Sequence, residues 1–294
     1  MRSFLVIANE AAGTAGGGVL GDACAVLAAE GECEPVGTSG PDELDAVLGG
    51  VGGRTVVVAG GDGSLHAVVD RLWQRGELET TTLGLVPLGT GNDFARALDI
   101  PIDAVAAAQL ICRGAPTAFD LIVADEDHTV VNAAHWGLGA EAARLGGGLK
   151  DRLGAAAYPI GALIAAVRER GWTCRIEVDG TPVGDPDEPV LLAGVGNGRS
   201  IGGGTPLFPQ ADPSDGLLDV VVCHATGPVA RAAFGAALRN GGHVEREDVA
   251  TRRGRHVRVT GDPVRHNADG ELTDELTTRT YRIEPAAWNL LLSP

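Results

Sequence analysis

The chain has 294 residues, of which 44% are hydrophobic, and this is enough to bury the cores of two domains. Its formal net charge is −16, so it lacks the cationic surface that nucleic-acid-binding proteins use to neutralise phosphates. The same charge disfavours strong static adhesion to an anionic membrane.

The first half of the chain alternates predicted strands with predicted helices. Short β-branched or aliphatic runs indicate strands at 3–8, 34–36, 55–59 and 83–87. Apolar residues at helical spacing indicate helices at 19–30, 42–48, 64–75 and 104–112. This alternation predicts a doubly wound α/β domain over residues 1–122, whose ligands should bind at the carboxyl ends of its strands.

From about residue 117 the pattern changes to short strands separated by turn signals, at 119–124, 129–134, 173–178, 190–195, 217–223 and 256–260. This predicts a mostly antiparallel β domain over residues 123–284. Residues 140–170 look helical, and the uncharged run at 153–167 favours a buried helix over a lipid-docking one. Residues 285–294 are a candidate for packing back on the first domain. His135, Trp136 and Trp172 are expected to be packing residues.

The first glycine-rich turn, Gly60-Gly61-Asp62-Gly63-Ser64, directly follows the strand at 55–59. Its glycines let backbone approach a ligand closely, and Ser64 is predicted to be the N-cap of the next helix. A strand, a glycine turn and a helix N-terminus together favour anion binding. Asp62 has two interpretations: a carboxylate separated from phosphate by a metal ion or a transferred proton, or an Asx-type turn that caps the backbone.

A second glycine-rich loop follows the next strand and reads Pro87-Leu88-Gly89-Thr90-Gly91-Asn92-Asp93-Phe94-Ala95-Arg96. Thr90 and Asn92 offer polar side chains, and Asp93 is predicted to cap the following helix. Each loop alone is a weak signal. Because both follow strands of one parallel sheet, we expect them on the same rim, where one polyphosphate could touch both.

Three turns in the second half carry further candidates. The loop at 197–204 contains Asn197, Arg199 and four glycines, which suits either a cleft wall or a flexible hairpin loop. The turn at 212–216 places Asp212 and Asp215 at a spacing that could hold a hard cation, although a plain turn is nearly as well supported.

The third of these turns is Asp269-Gly270-Glu271, whose carboxylates could provide a base and a metal-linked acceptor. Asp-Gly is also the commonest hairpin signal, so this turn taken alone favours a hairpin.

The cysteines and the apolar runs exclude further classes of protein. The five cysteines are scattered without a CxxC pair, which favours reduced thiols over a disulfide framework or a zinc site. The apolar run at 3–8 is too short for a signal peptide, and no run approaches the ~20 apolar residues of a spanning helix. We therefore expect a cytoplasmic protein with no transmembrane segment.

Taken in order, these motifs resemble the diacylglycerol kinase catalytic-domain family. The resemblance covers almost the whole chain, and its most specific part is the block at 89–96, Gly-Thr-Gly-Asn-Asp-Phe-Ala-Arg. It implies a two-domain lipid kinase, with an α/β domain, a β-sandwich-like domain and ATP in the cleft between them. It also implies Mg²⁺ and a diacylglycerol-like lipid hydroxyl as acceptor, presented at a membrane surface that the protein meets transiently. A homodimer is left open.

The resemblance also implies roles for individual residues. The nucleotide site would comprise Asn9, Gly60, Gly61, Gly63, Ser64, Gly89, Thr90, Gly91, Asn92 and Asp93. The catalytic carboxylates would be Asp269, the first choice as proton acceptor, with Glu271 and Asp62 as the alternatives. Asp120 would join the nucleotide and metal network. The turn with Asp212, Asp215 and Leu218 matches a structural cation site of bacterial members.

The sequence departs from the family pattern in two places. The first loop, at 9–14, lacks the basic residue usual in the family, and His66-Ala67 replaces a common Asn-Glu pair. These departures leave two alternatives. One is an NAD kinase-like enzyme, which shares Gly-Gly-Asp-Gly but is disfavoured by the 87–96 block. The other is a nucleotide-binding regulator that has lost phosphoryl transfer.

Overall fold

The computed structural model describes residues 2–9, 17–125, 128–137, 171–225 and 227–293. Its helices are α1 (Gly17–Glu30), α2 (Pro41–Leu48), α3 (Asp62–Gln74), α4 (Asp93–Ala97), α5 (Ala104–Arg113) and α6 (Pro228–Leu238). Its strands are β1 (Arg2–Asn9), β2 (Gly31–Thr38), β3 (Thr55–Gly60), β4 (Thr82–Pro87), β5 (Ala115–Ala124), β6 (His128–Val130), β7 (Ala133–Gly137), β8 (Cys174–Val178), β9 (Thr181–Pro182), β10 (Leu192–Gly196), β11 (Leu218–Cys223), β12 (Val249–Gly254), β13 (His256–Val264), β14 (His266–Ala268), β15 (Glu271–Leu272) and β16 (Leu276–Leu292). Within the described ranges these strands form one sheet of ten and one of six.

The N-terminal part of the larger sheet is parallel and has the strand order β2-β1-β3-β4, which confirms the predicted doubly wound domain. Strand β2 lies on one side of β1. The chain then crosses back, so that β3 lies on the other side of β1. The carboxyl ends of β1 and β3 therefore flank a crevice, which is the usual ligand position in such sheets. Asn9 ends β1 and Gly60 ends β3, so both residues lie at this crevice.

The 17-residue strand β16 runs through both parts of the larger sheet. Residues 276–282 pair with β13, residues 281–284 and 288–292 pair with β5, and Asn289 and Leu290 also pair with β4. Trp288 is fully buried there, with its ring centroid 5.5 Å from those of Phe94 and Phe119. Residues 286–292 thus lie in the sheet of the N-terminal part and complete its core.

The six-stranded sheet is antiparallel, with the order β12-β11-β10-β7-β14-β15. It packs on the C-terminal strands of the larger sheet through a core that contains Trp136 and Tyr281, which confirms the predicted sandwich-like domain. The predicted helical segment at 140–170, its uncharged run at 153–167 and residues 10–14 of the first loop lie outside the described residues.

Several predicted elements need correction. The predicted strand at 129–134 is two strands, β6 and β7, because the Asp269 carboxylate accepts the N–H groups of Val131 and Asn132 at the break between them. Ser64 is not an N-cap, because α3 begins at Asp62 with Gly61 as the cap residue. The Ser64 side chain instead covers Gly60, where a Cβ would overlap its hydroxyl.

Other elements were not predicted at all. Strand β12 is rich in arginine, strands β14 and β15 are too short to show a period, and α6 is composed largely of alanine.

The residues expected to serve packing do so. His135 and Trp136 are buried and Trp172 is half-buried. Burial lowers the pKa of His135 to about 4. The five cysteines are free thiols, as predicted. In the part of the chain that the structure describes, no helix combines the length and apolar character needed to cross a membrane.

Candidate functional site

The two glycine-rich loops lie side by side at the carboxyl edge of the parallel sheet. A Cβ on Gly89 would lie 2.5 Å from the Cα of Gly61, so the two backbones are in direct contact. Leu88 N–H donates to the Gly60 carbonyl at 2.9 Å, which fixes the second loop against the first. The predicted common rim is therefore observed. Gly61 and Gly89 are required for the contact between the loops, whereas the sequence suggested close approach to a ligand.

Gly63 differs from Gly61 because a Cβ at Gly63 would meet no atom within 4 Å. It lies in the first turn of α3, where backbone N–H groups have no partner within the helix. This open, positively polarised helix end is the part of the first loop that could receive a phosphate.

Adding a methyl group at Gly61 and at Gly63 should affect different properties of the protein. Gly61→Ala places its Cβ 3.0 Å from the Gly89 Cα, and such overpacking should cost about 1–3 kcal/mol of unfolding free energy. Gly63→Ala should keep wild-type stability and weaken only ATP binding. Thermal melts and calorimetry with ATP measure the two effects, and equal melting temperatures for the two variants would contradict this arrangement of the loops.

Asp62 holds the second loop in place. Its two carboxylate oxygens accept the N–H groups of Asp93 and Phe94, each at 3.0 Å, and so cap α4 from outside the helix. Neither predicted role of Asp62 describes this contact, because the backbone that it caps lies 31 and 32 residues further along the chain.

Inside the second loop, the Asn92 side chain bonds both the N–H and the C=O of Gly89, at 3.1 and 2.7 Å. Asn92 has φ 52° and serves as the cap residue of α4. Thr90 is exposed, and among the described residues none hydrogen-bonds its hydroxyl. Thr90 is therefore the side chain of this loop that remains available to a ligand.

Asp93 links the second loop to the loop after β10. It is buried and accepts the Gly203 N–H at 2.7 Å and the Ser200 hydroxyl at 3.2 Å. It was predicted to cap α4, which is wrong: Asp93 is the first residue of that helix, and its side chain points across the cleft. Three glycine-rich segments thus meet, with Gly91 lying between Asp62 and Gly203.

Asn197 and Arg199 anchor this third loop. The Asn197 amide is 1% exposed and donates to the carbonyl groups of Asp120 and Val131, each at 3.0 Å. Arg199 donates to the Ala211 carbonyl at 3.0 Å. Both side chains are thus engaged with neighbouring backbone, which favours the predicted cleft wall over a flexible hairpin loop at these two residues.

Asp120 lies with the turn at 212–216 and donates its N–H to the Pro213 carbonyl at 2.8 Å. Its carboxylate accepts the N–H groups of Gly216 at 2.6 Å and Ala286 at 2.8 Å. Burial raises the pKa of Asp120, the two N–H groups lower it, and the charges of Asp215 and Asp212 raise it further. Asp120 therefore joins the turn to β16.

Three further carboxylates and one arginine lie in or beside the same turn. Asp212 accepts the N–H and hydroxyl of Ser214, and Asp215 accepts the Leu217 N–H. Arg253 pairs with both Asp215 and Asp219. Burial raises the pKa of Asp219, Arg253 lowers it, and Asp215 and Asp212 raise it. In the described part of the chain no three His, Cys, Asp or Glu side chains are grouped as metal ligands, so a cation here would also need backbone oxygens or water.

Asp269 and Gly270 form the turn of the hairpin between β14 and β15, with φ 47° and 96°. The Asp269 carboxylate accepts the N–H groups of Val131 at 2.6 Å, Asn132 at 3.0 Å and Ala133 at 3.0 Å. Burial raises the pKa of Asp269, while the His66 ring and these three N–H groups lower it. Both oxygens are thus occupied by backbone, which suits a residue that positions the hairpin better than one that takes up a proton.

Glu271 begins β15 on the other side of the turn and is exposed. None of the described residues hydrogen-bonds or ion-pairs with its carboxylate. In the β14–β15 ladder Glu271 lies opposite Ala268, which in turn lies opposite Ala134 of β7. Of the two carboxylates in the hairpin, Glu271 is the one whose oxygens are available for chemistry.

Two family models match the chain. The diacylglycerol kinase catalytic domain matches residues 3–124, and the YegS C-terminal NAD kinase beta sandwich-like domain matches residues 132–292. A Stenotrophomonas maltophilia protein named "probable lipid kinase YegS-like" is 38% identical over 238 residues, which cover 78% of this chain and 75% of that protein. A Xanthomonas campestris protein of the same name is 37% identical over 258 residues, which cover 84% and 80%.

The fold also matches a solved structure. A crystal structure of a Bacillus anthracis protein assigned as a diacylglycerol kinase superposes with a TM-score of 0.82. The match covers 100% of this chain and 98% of that one at 22% sequence identity, so it shows a shared fold.

Proposed function

The chain belongs to the YegS-like lipid kinases, and on that premise we propose that it transfers the γ-phosphoryl group of ATP to the hydroxyl of a diacylglycerol-like lipid. The acceptor would be presented at the surface of the cytoplasmic membrane, which the protein meets transiently. Two observations carry the proposal. The two glycine loops meet at the start of α3. The Asp269 turn, which leads into a carboxylate that no described residue binds, Glu271, is held at the β6–β7 junction, and this junction contacts the same helix.

The donor side of the site fits a triphosphate. Phosphates would lie against the first turn of α3, near Gly63, where the helix dipole and the N–H groups of a helix N-terminus favour negative charge. Thr90 and Asn9 border the same crevice. Phosphoryl transfer needs mainly positioning and charge neutralisation, and loops held by Asp62 and Asp93 supply a preorganised surface for both.

We assign proton uptake to Glu271 in place of Asp269. As the acceptor hydroxyl attacks the γ-phosphorus, its proton would pass to a Glu271 oxygen, and ADP would leave from the opposite side. Asp269 would act through the hairpin, by holding its turn against the junction of β6 and β7. Asp62, the other alternative, has both oxygens on backbone N–H groups and would fix the second loop.

Mg²⁺ would accompany ATP and neutralise charge on the transferred group. Asp62 and Asp93 hold the loops through one hydrogen bond on each carboxylate oxygen, and each oxygen keeps a second lone pair that could bind the ion. Mg²⁺ is commonly held by phosphates with one or two carboxylates, so Asp62 and Asp93 are its candidate protein ligands, and Glu271 is kept for proton uptake.

A separate structural cation fits the turn at 212–216. Burial is the largest cause that raises the pKa of Asp120 and of Asp219, and the charges of Asp215 and Asp212 raise both pKa values further. Arg253, which pairs with Asp215 and Asp219, lowers the pKa of Asp219. Asp212, Asp215 and the carbonyl of Leu218 would supply oxygen ligands, and Asp120 would be joined to the site through the Gly216 N–H.

Removing that cation should lower the melting temperature. At a hundredfold excess over its dissociation constant, a bound cation adds ~2.7 kcal/mol to the unfolding free energy. EDTA should remove this gain from the wild type and have no further effect on Asp215→Asn. Asp185→Asn is the matched control, since Asp185 also accepts the N–H of the residue two positions on, in an exposed turn. An EDTA effect that persists in Asp215→Asn would place the cation elsewhere.

The proposal is tested by incubating the protein with radiolabelled ATP and Mg²⁺, a panel of lipid alcohols in mixed micelles, and NAD. Label in a diacylglycerol-like lipid supports the proposal. Label in NAD alone would assign the chain to NAD kinase chemistry. ATP binding without product on any acceptor would instead identify a regulator that has lost phosphoryl transfer.

A further inference from the structure

Helix α3 carries two polar side chains that contact the same residue of β6. His66 and Asp70 are one turn apart on this helix and face Thr129. His66 Nε2 lies 2.9 Å from the Thr129 carbonyl oxygen, and the Thr129 hydroxyl donates to Asp70 at 2.8 Å. Because a carbonyl oxygen only accepts, Nε2 of His66 must carry a proton.

Thr129 is buried and lies two residues before Val131, the first residue of the segment that Asp269 holds. Two residues further on, Val131 donates its N–H to Asp269, as do Asn132 and Ala133. Asp269 returns its own N–H to the Ala133 carbonyl at 3.0 Å. The junction between β6 and β7 is therefore held on one side by α3 and on the other by the turn of the β14–β15 hairpin.

These contacts join the two ends of the proposed reaction. The first turn of α3 faces the donor phosphates, and His66 lies in the next turn of the same helix. Asp269 and Gly270 turn the chain directly into Glu271. The path from the phosphate loop to the proton acceptor thus runs through His66, Thr129 and Asp269, without a long flexible segment between them.

We propose that His66 is a positioning residue that fixes Glu271 relative to the γ-phosphate, acting through Thr129 and the Asp269 turn. This inference rests on the proposed kinase function. The His66 ring also lies close enough to Asp269 to lower the pKa of that carboxyl against the rise that burial causes. His66 does not touch substrate in this role, and a small displacement of the hairpin is enough to slow transfer.

The test compares His66→Ala with His66→Gln, whose amide can still donate to the Thr129 carbonyl. Arg71→Ala is the control on the same helix, since the Arg71 side chain hydrogen-bonds only Gln74 among the described residues. We expect His66→Ala to lower kcat roughly tenfold, with the KM for ATP within about twofold of wild type. His66→Gln should recover most of the lost kcat, and Arg71→Ala should match the wild type.

Amide hydrogen exchange supplies a readout that does not need an acceptor lipid. In His66→Ala the amides of Val131, Asn132 and Ala133 should exchange faster than in His66→Gln or Arg71→Ala. Unchanged exchange would overturn the inference, whether or not the wild type transfers phosphate.

The kinetic outcomes separate this inference from the proposed function. If the wild type transfers phosphate and His66→Ala keeps its kcat, the positioning role is wrong and the kinase assignment stands. A raised KM for ATP with unchanged kcat would likewise overturn it and place His66 in nucleotide binding. A wild type with no transfer to any acceptor contradicts the proposed function itself.

Discussion

Replacing Glu271 with glutamine should lower turnover by about 10²–10⁴-fold while ATP affinity and melting temperature stay close to the wild type. The carboxylate is exposed and makes no hydrogen bond or ion pair with the described residues, so its loss removes no folding contact. The amide, however, cannot take up the proton of the acceptor hydroxyl. Steady-state kinetics with an identified acceptor lipid, calorimetry with ATP and a thermal melt measure the three quantities.

Glu275→Gln is the matched control for this experiment. Glu275 lies four residues further along the chain, is equally exposed and pairs with Arg265 at 3.3 Å, so its amide variant should keep normal turnover. Near-normal turnover in Glu271→Gln would remove Glu271 from the role of base. Rescue of that variant by excess Mg²⁺ would assign Glu271 to metal binding instead.

Asp269→Asn should lower both the melting temperature and turnover. The Asp269 carboxylate accepts three N–H groups with its two oxygens, and an asparagine amide has only one oxygen for them. A donor left unsatisfied in a buried place costs about 1–3 kcal/mol, so we expect a loss of at least that size in unfolding free energy. Turnover should fall because the loosened turn no longer holds Glu271. Thermal melts and steady-state kinetics measure the two losses.

The chain offers a matched control in Asp179. It also begins an Asp-Gly hairpin turn, with φ 49°, and accepts the N–H groups of Arg255 and His256 from an exposed position. Asp179→Asn should therefore lower stability less and leave turnover per folded molecule unchanged. A large loss of turnover in Asp269→Asn at a wild-type melting temperature would restore Asp269 as the proton acceptor.

The parallel half of the fold could be predicted from sequence because its signals are local. Strand β3 has three consecutive valines, and α3 repeats Leu65, Val68, Val69 and Leu72 at helical spacing. Strand β6 and the start of β7 merged into one prediction because the break between them, Val131-Asn132, has a single turn-favouring residue inside an apolar run. That break depends on Asp269, which lies 138 residues from Val131 along the chain.

The positions of the site residues were predicted better than their roles. Glycine loops at strand ends and an Asp-Gly hairpin are visible as patterns, so the loops with Gly61 and Gly89 and the hairpin before Glu271 could be placed in the fold, while their functional roles stay predictions. A carboxylate can bind phosphate-linked metal or cap a backbone, and the choice depends on a partner that only the folded chain supplies. Asp62 caps α4, and no spacing rule connects the two. His66 was noticed as a departure from a motif, but its partner Thr129 carries no sequence signal.

The placement of β16 has a consequence for the order of events during biosynthesis. The α/β half of the fold is built from the first 124 residues. Trp288 nevertheless fills its core, and β16 lies beside β4 and β5 in its sheet. A ribosome releases that strand only after both halves have been made. Until then the aromatic faces of Phe94 and Phe119 lack their partner, and the nascent first half is held in an unfinished state. The two glycine-rich loops thus belong to a finished domain only once the second half of the chain has also been synthesised.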